Sequence, residues 1–147
     1  MDHVAIMKKS WGLTEKILKG EKRVESRWYK TKRTPWNQIK KGDRVYFKDS
    51  GGPVSIKART AKVVQLGNLT GQKKKQILHK YGKTDLGAAQ IMSEMKEYVA
   101  DKNYCILVFL EGIEKIRPFD INKKGFGNMA AWISIDDINK IKKTSRR

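Results

Sequence analysis

The chain has 147 residues, with 33 Lys and Arg against 15 Asp and Glu, a formal charge of +18. That length fits one domain with a real core, and 39% hydrophobic residues including four Trp, five Tyr and four Phe exclude a disordered chain. Charge of this size does not decide the fold but favours a polyanionic partner, and residues 8–48 alone carry +10 of it.

Val4 to Met7 is a short apolar run that fits a first strand. Ser10 can cap a helix over Trp11 to Lys19, with Leu13, Ile17 and Leu18 on one face and Gly20 as its stop. A strand from Lys22 to Tyr29 follows. Next comes a basic loop, Lys30 to Trp36, in which Pro35 can begin a helical turn through Ile39. Lys41-Gly42-Asp43 makes a tight turn into a strand over Arg44 to Lys48. Asp49-Ser50-Gly51-Gly52-Pro53 is the strongest turn signal in the chain. Val54 to Leu66 alternates loosely as a strand, with Ile56, Ala58 and either Val63 or Val64 pointing inward.

The middle reads as helical. Thr70 can cap a helix to about His79, stopped by Gly82, and Thr84 can cap a second. Along the second, Ala88, Ile91, Met92, Met95 and Val99 form a stripe at helical spacing, which is the pattern of core packing. Tyr104 to Leu110 is nearly all apolar and reads as a buried strand, with Glu111 to Ile116 turning and continuing it. Phe119 to Ile121 and Ala131 to Ile135 are expected as short strands around the loop Asn122 to Asn128. Asp136 can cap a last helix to about Lys142, and the basic tail Lys143 to Arg147 is expected to fray. With no repeat and no linker, residues 1–147 read as a single α+β domain, a small curled sheet or barrel with helices outside.

Other chemistries find little support. Cys105, the sole cysteine, excludes an intramolecular disulfide, and inside an apolar run it is expected to be an inert thiol. His3 and His79 have no second ligand near them in sequence, so no metal, no cofactor and no Ser-His-Asp or Cys-His scheme is expected. Gly125-Phe126-Gly127 and Gly51-Gly52 lack phosphate-loop spacing and read as turns. Lys73-Lys74-Lys75 is a solvated helix face or, with Lys80 and Lys83, part of a phosphate track. No apolar run approaches the roughly 18 residues that span a bilayer, and no N-terminal segment reads as a signal peptide. The expected location is the cytoplasm.

The stretch Gly20-Glu21-Lys22-Arg23-Val24-Glu25-Ser26-Arg27-Trp28 carries the chemistry. At a period of two, Glu25 and Arg27 share one strand face, and Val24, Ser26 and Trp28 take the other. A carboxylate beside a guanidinium can form a charge-assisted pair that fixes both groups. Lys22 falls on the opposite face of an ideal strand and joins them only if the chain is still turning after Gly20.

Gly20, Lys22, Glu25 and Arg27 match the G-x-K-x-x-E-x-R signature of the ASCH domain, part of the PUA-like superfamily. Gly42-Asp43-Arg44-Val45-Tyr46-Phe47 resembles that family's G-D-x-[VL]-x-[FV] strand start. The resemblance is specific over residues 4–66 and architectural beyond them. It implies a PUA-like small β-barrel with flanking helices and a cleft lined by the signature; the helical insertion over about 70–99 comes from the residue pattern alone. It also implies RNA or a modified nucleoside as partner. Some ASCH members are amidohydrolases acting on N4-acetylcytidine, and others are described as ribonucleases. In the amidohydrolases the signature lysine looks catalytic, which here implies Lys22, with Glu25 beside it. That subgroup has threonine where this chain has Glu25, and a further glutamate for which Glu94 and Glu97 lie in the right region. A lysine acts as nucleophile or base only when its amine is neutral, and Glu25 would hold it protonated.

Binding asks less of the residues. An unstacked base is held by aromatic stacking and edge hydrogen bonds, and lysines and arginines hold phosphate. The candidate set is Lys22, Glu25, Arg27, Trp28, Lys30, Lys32, Arg33, Trp36, Lys48 and Ser50. Trp36, on a polar basic loop, is the stacking candidate, with a plug over the barrel end as its structural alternative. Trp11 and Trp28 read as core edge, and Trp132 as core. The functional alternatives are a binding module for RNA or a modified nucleoside, a hydrolase on acylated cytidine or RNA, and a protein-interaction module.

Overall fold

The computed structural model describes residues 1–86, 92–127 and 129–143. Six strands form one sheet: β1 (Asp2–Met7), β2 (Val24–Tyr29), β3 (Arg44–Asp49), β4 (Val54–Leu66), β5 (Tyr104–Phe119) and β6 (Trp132–Ile135), in the order β2-β5-β4-β3-β1-β6. Among the described residues only the β1–β3 pair is parallel, with Val4 opposite Tyr46. Three register shifts between β4 and β5 bend these two long strands, which curls the sheet into a half-barrel. Its two ends come close enough for Arg27 of β2 to reach main-chain oxygens at Ile6 and Ala131.

Alternation along the strands divides the core in three. The inner face packs Ala5, Met7, Val45, Phe47, Ile56, Ala58, Ile106, Val108 and Trp132 around Leu13 and Ile17 of α1 (Leu13–Leu18). The outer face of β2 and β5 packs Val24, Trp28, Cys105 and Leu107 against Ile77 and Leu78 of α2 (Gly71–Leu86) and Met95 and Val99 of α3 (Met92–Val99). Elsewhere on that face Val4, Tyr46, Val54 and Ile133 lie under Ile121, Ile138 and Ile141 of the C-terminal segment. Cys105 is buried, as expected. Val63 packs with the inner group and Val64 with the α2–α3 group, so both are partly buried on opposite faces.

Several boundaries depart from the sequence expectation. The first helix is broken at Gly12, whose φ of 62° ends a three-residue 3-10 turn, Lys9–Trp11, before α1 starts, so Ser10 lies inside that turn and caps nothing. Thr70 does cap α2, its hydroxyl accepting from Lys73 N at 3.1 Å. The helix, however, runs on through Gly82 and Thr84 to Leu86. A helical glycine costs only about 1 kcal/mol, and the packing of α2 on the sheet outweighs it. Ala88 and Ile91 of the expected stripe lie outside the described residues, while Met95 and Val99 are buried as expected. The turn expected near Glu111 is a bulge at Gly112, with φ 56°, and β5 continues through it to Phe119. Ile121 keeps only a single bridge to Lys142. Asp137, not Asp136, caps the last turn, a 3-10 helix over Ile138–Lys140.

Candidate active site and ligand cavity

Gly20 ends α1 with a φ of 78°, and Glu21 and Lys22 both donate their N–H to Lys16 O, at 3.0 and 3.1 Å. The chain is therefore still folding back across the helix end when it reaches Lys22, which is the condition that lets this lysine join the strand face of Glu25. Lys22 is fully buried. Its Nζ donates to Val24 O at 2.6 Å and lies 2.9 Å from Glu25 Oε1. The other carboxylate oxygen, Oε2, accepts from Arg27 Nε at 2.8 Å and lies 2.7 Å from Nη2. Arg27 also donates from Nη1 to Ala131 O at 3.1 Å and from Nη2 to Ile6 O at 3.3 Å, and its guanidinium lies 5.2 Å over the Trp132 ring.

Two cations and one carboxylate leave this triad with a net positive charge. Burial alone would raise the Glu25 pKa, but the charges and hydrogen bonds of Lys22 and Arg27 overcome it and hold the pKa below the ordinary value. Burial likewise disfavours the Arg27 cation, and the Glu25 charge more than restores it.

The triad forms part of the wall of a cavity of about 250 Å³. Ile6 and Met7 from the end of β1, Leu13, Met95 and Ala131 supply further walls. That volume is a little below the roughly 300–1,000 Å³ of ligand pockets for drug-sized molecules. Two rings face each other here: Trp11 and Tyr98 meet edge to face at 6.3 Å. Lys8 lies 5.0 Å over Trp11 and Lys102 4.8 Å over Tyr98, so both rings carry cations. The Trp11 indole N–H donates to Glu94 Oε2 at 3.0 Å, which ties α3 to the turn before α1.

Of the expected residues, the structure brings together Lys22, Glu25 and Arg27. Trp28 follows its core reading and not its place in the binding set: it is 2% exposed beneath α2 and α3, on the opposite face of β2, with its indole N–H held by Ser26 Oγ at 2.9 Å. Lys30 pairs with Asp101 at 2.9 Å on the surface. Lys32, Arg33 and Trp36 line a separate shallow hollow with Thr34 and Gln38. There Trp36 packs edge-on against Tyr104 at 5.2 Å, beneath Lys32, a plug on the sheet and not a wall of the cavity. Lys48 lies on the outer sheet face and Ser50 in the exposed turn, where its N–H bonds Met7 O. Trp132 is core, as expected. Trp11 packs at the edge of two core groups, as expected, but sequence reasoning missed that it and Tyr98 line the cavity. The available signal was Gly12, which takes Trp11 out of the helix face shared by Leu13 and Ile17.

His3 lies in a hydrogen-bond network that joins distant parts of the chain. His3 is fully buried, with Nδ1 2.8 Å from Ser134 Oγ and 3.1 Å from the donating Trp132 Nε1, and Nε2 2.9 Å from Asp43 Oδ2. These partners assign Nδ1 as acceptor and Nε2–H as donor. Burial lowers the His3 pKa below 6.5 despite Asp43. Met7, on the cavity wall, and His3 sit at opposite ends of β1, so this network is not part of the cavity. Among the described residues no group of three or more His, Cys, Asp or Glu could hold a metal ion. Among the same residues no helix is long and apolar enough to cross a membrane.

The half-barrel with its flanking helices is an α+β fold. No family model matches the sequence, and no curated protein matches it. Solved structures do match. The ASCH protein of Zymomonas mobilis superposes with a TM-score of 0.66 at 16% identity, over 97% of this chain and 96% of that one. A tyrosine-to-phenylalanine mutant of the same protein gives 0.67 over 95% and 93%. A hypothetical protein gives 0.51 at 21% identity, over 79% of this chain and all of its own. The fold of this chain is that of ASCH domain proteins.

Proposed function

We propose that this ASCH-fold protein binds RNA or a modified nucleoside by taking one unstacked base into the cavity of Lys22, Glu25 and Arg27. The observation that carries the reading is a net-positive, fully hydrogen-bonded charge triad in the wall of a cavity that also holds two cation-bearing aromatic rings. Trp11 and Tyr98 are the stacking surfaces, and such a contact contributes about 1–3 kcal/mol per base. Arg27, 12% exposed, presents positive charge to the carbonyl edge of the base, and the buried Lys22 adds its charge from behind Glu25. Glu25 holds both cations in place, with one of its oxygens bonded to each.

Binding is favoured over amide hydrolysis by the same contacts. A nucleophilic or basic lysine must be neutral, and the Glu25 carboxylate 2.9 Å away stabilises the ammonium. Incubation with N4-acetylcytidine is therefore expected to release no cytidine. A mixed single-stranded RNA pool is expected to bind with affinity that falls steeply as salt rises. Trp11→Ala should weaken that binding and Trp36→Ala should leave the cavity contribution intact. Cytidine release that disappears in Lys22→Ala would overturn the binding reading in favour of an amidohydrolase.

A further inference from the structure

The stretch from Ser26 to Gly42 holds Arg27, Lys30, Lys32, Arg33, Lys40 and Lys41 and no acidic residue. Of these cations only Arg27 belongs to the triad, so the base site leaves most of this charge without a role. Period two along β2 puts Tyr29 on the face of Glu25 and Arg27, about 7 Å beyond Arg27. Tyr29 and Trp36 both pack on the inner core group, so the loop of Lys32 and Arg33 stays on that side of the sheet.

Contacts run without a break from the cavity to this loop. Lys102 Nζ, 4.8 Å over the Tyr98 ring of the cavity wall, lies 3.3 Å from Asp101 Oδ1. Asp101 Oδ2 lies 2.9 Å from Lys30 Nζ. Asn103 ties the two segments together, donating its N–H to Tyr29 O at 2.9 Å and its side-chain amide to Lys30 O at 3.1 Å. Beyond Lys30, Lys32 Nζ sits 5.8 Å over the Trp36 ring and 6.0 Å over that of Tyr104, the register partner of Tyr29. Among the described residues the side chains of Lys32 and Arg33 make no hydrogen bond and no ion pair. Burial raises the Tyr29 pKa, and Arg27 and Arg33 both act to lower it, as expected of a residue between cavity and loop. Asp101 is the one acid in this line. It is 57% exposed and Lys30 63%, and an exposed pair is weak enough for a phosphate to take the place of its carboxylate.

We propose that Lys102, Lys30, Lys32 and Arg33 form a track for the phosphates of a single RNA strand that leaves the cavity toward the Trp36 loop. The ligand is then an oligonucleotide and not a free nucleoside. The proposal rests on the reading of the cavity as a base site. A base taken into the cavity keeps its sugar and phosphates outside, and the backbone that follows meets cations at successive steps. Lysines act as point charges for phosphates arriving at varied angles, and Arg33 adds a fork that can take two phosphate oxygens.

The test is binding of the four ribonucleosides and of mixed-sequence single-stranded RNA of about two to eight nucleotides, by calorimetry and fluorescence anisotropy over a range of salt. Wild type is compared with Lys32→Gln/Arg33→Gln, Arg33→Gln, Trp11→Ala and Lys115→Gln/Arg117→Gln. The last pair removes the same charge from exposed positions toward the far end of β5 from Tyr104. Affinity should rise with length until the strand spans the track and then level off. Lys32→Gln/Arg33→Gln should weaken the longest strand roughly tenfold, lower the salt slope by about 1.4, and leave nucleoside affinity unchanged. Arg33→Gln alone removes no side-chain hydrogen bond, so it should give about half that change in slope at an unchanged melting temperature. Lys115→Gln/Arg117→Gln should bind as wild type does. Affinity that does not rise with length, or that falls equally in the two double variants, would overturn the track. A length dependence lost in Lys32→Gln/Arg33→Gln but untouched by Trp11→Ala would overturn the cavity reading and leave the track standing. Length-independent binding that Trp11→Ala abolishes would do the reverse.

Discussion

Glu25→Gln isolates the electrostatic work of the buried triad. Glutamine keeps the shape and an accepting oxygen but removes the negative charge that faces Lys22, fully buried, and Arg27, 12% exposed. Two cations then share a wall with no counter-ion. Removing one partner of a buried pair costs about 3–5 kcal/mol. In a chain of this length each kcal/mol moves the melting temperature by roughly 2–4 °C, so the expected drop is roughly 6–20 °C. Scanning calorimetry near neutral pH measures it. The pH dependence supplies a second readout. Because the folded-state pKa of Glu25 is lowered, its contribution is present above the ordinary value of 4.5 and is lost as pH falls below it, and Glu25→Gln should lack that portion of the acid transition. The triple change Lys22→Met, Glu25→Leu, Arg27→Met should recover only part of the loss: apolar groups replace the buried ion pairs at little net cost, but the bonds of Arg27 to Ile6 O and Ala131 O go with them. A fall of under about 2 °C in Glu25→Gln would refute the reasoning, because the triad would then be well enough hydrated to be weak.

Three further outcomes can be measured. The lowered pKa of His3 means that wild-type stability is complete above pH 6.5 and declines as pH falls below it; His3→Gln should flatten the profile between pH 5 and 7, read by urea denaturation. Trp11→Ala should cost about 1–3 kcal/mol of RNA binding at fixed salt, whereas Trp36→Ala should mainly lower stability by removing its edge contact with Tyr104, so fluorescence binding and thermal melts separate the two tryptophans. Thr70→Ala should destabilise by about 1 kcal/mol through loss of the α2 cap, and a chemical-denaturation midpoint equal to wild type would show that the cap is dispensable.

What was legible in the sequence follows from the range of the interactions involved. The Gly20 stop, the Glu25–Arg27 pair two residues apart and the Asp49–Pro53 turn are local, and period two or turn chemistry is enough to place them. Lys22 joining the triad is half local: it needs the hydrogen bonds to Lys16 O, which a glycine permits but does not compel. The Trp11–Tyr98 pair spans 87 positions and exists only because α3 docks beside the turn before α1. The His3 network joins three separate elements through Asp43 and Ser134, so a search for ligands adjacent in sequence has no access to it. Gly82 misled for a different reason. Its intrinsic cost in a helix is about 1 kcal/mol, and the contacts of Ile77 and Leu78 with the sheet exceed that.

Arg27 explains why fold and candidate site cannot be separated in this protein. The sheet is open between β2 on one edge and β6 on the other, and an open edge leaves main-chain groups without ladder partners. Arg27 spans that opening with one planar fork: Ile6 O and Ala131 O accept on the far side and Glu25 on its own strand. A lysine there would keep the charge but could not serve three directions at fixed angles. The guanidinium that closes the barrel is therefore the same one that gives the cavity its positive wall, and Glu25, by orienting it, acts on both. Loss of binding in an Arg27 variant is consequently uninformative unless its stability is measured beside it. Trp11 lies outside the triad and closes no strand, but it packs on two core groups and holds α3 through Glu94, so its loss of binding too is read beside a thermal melt.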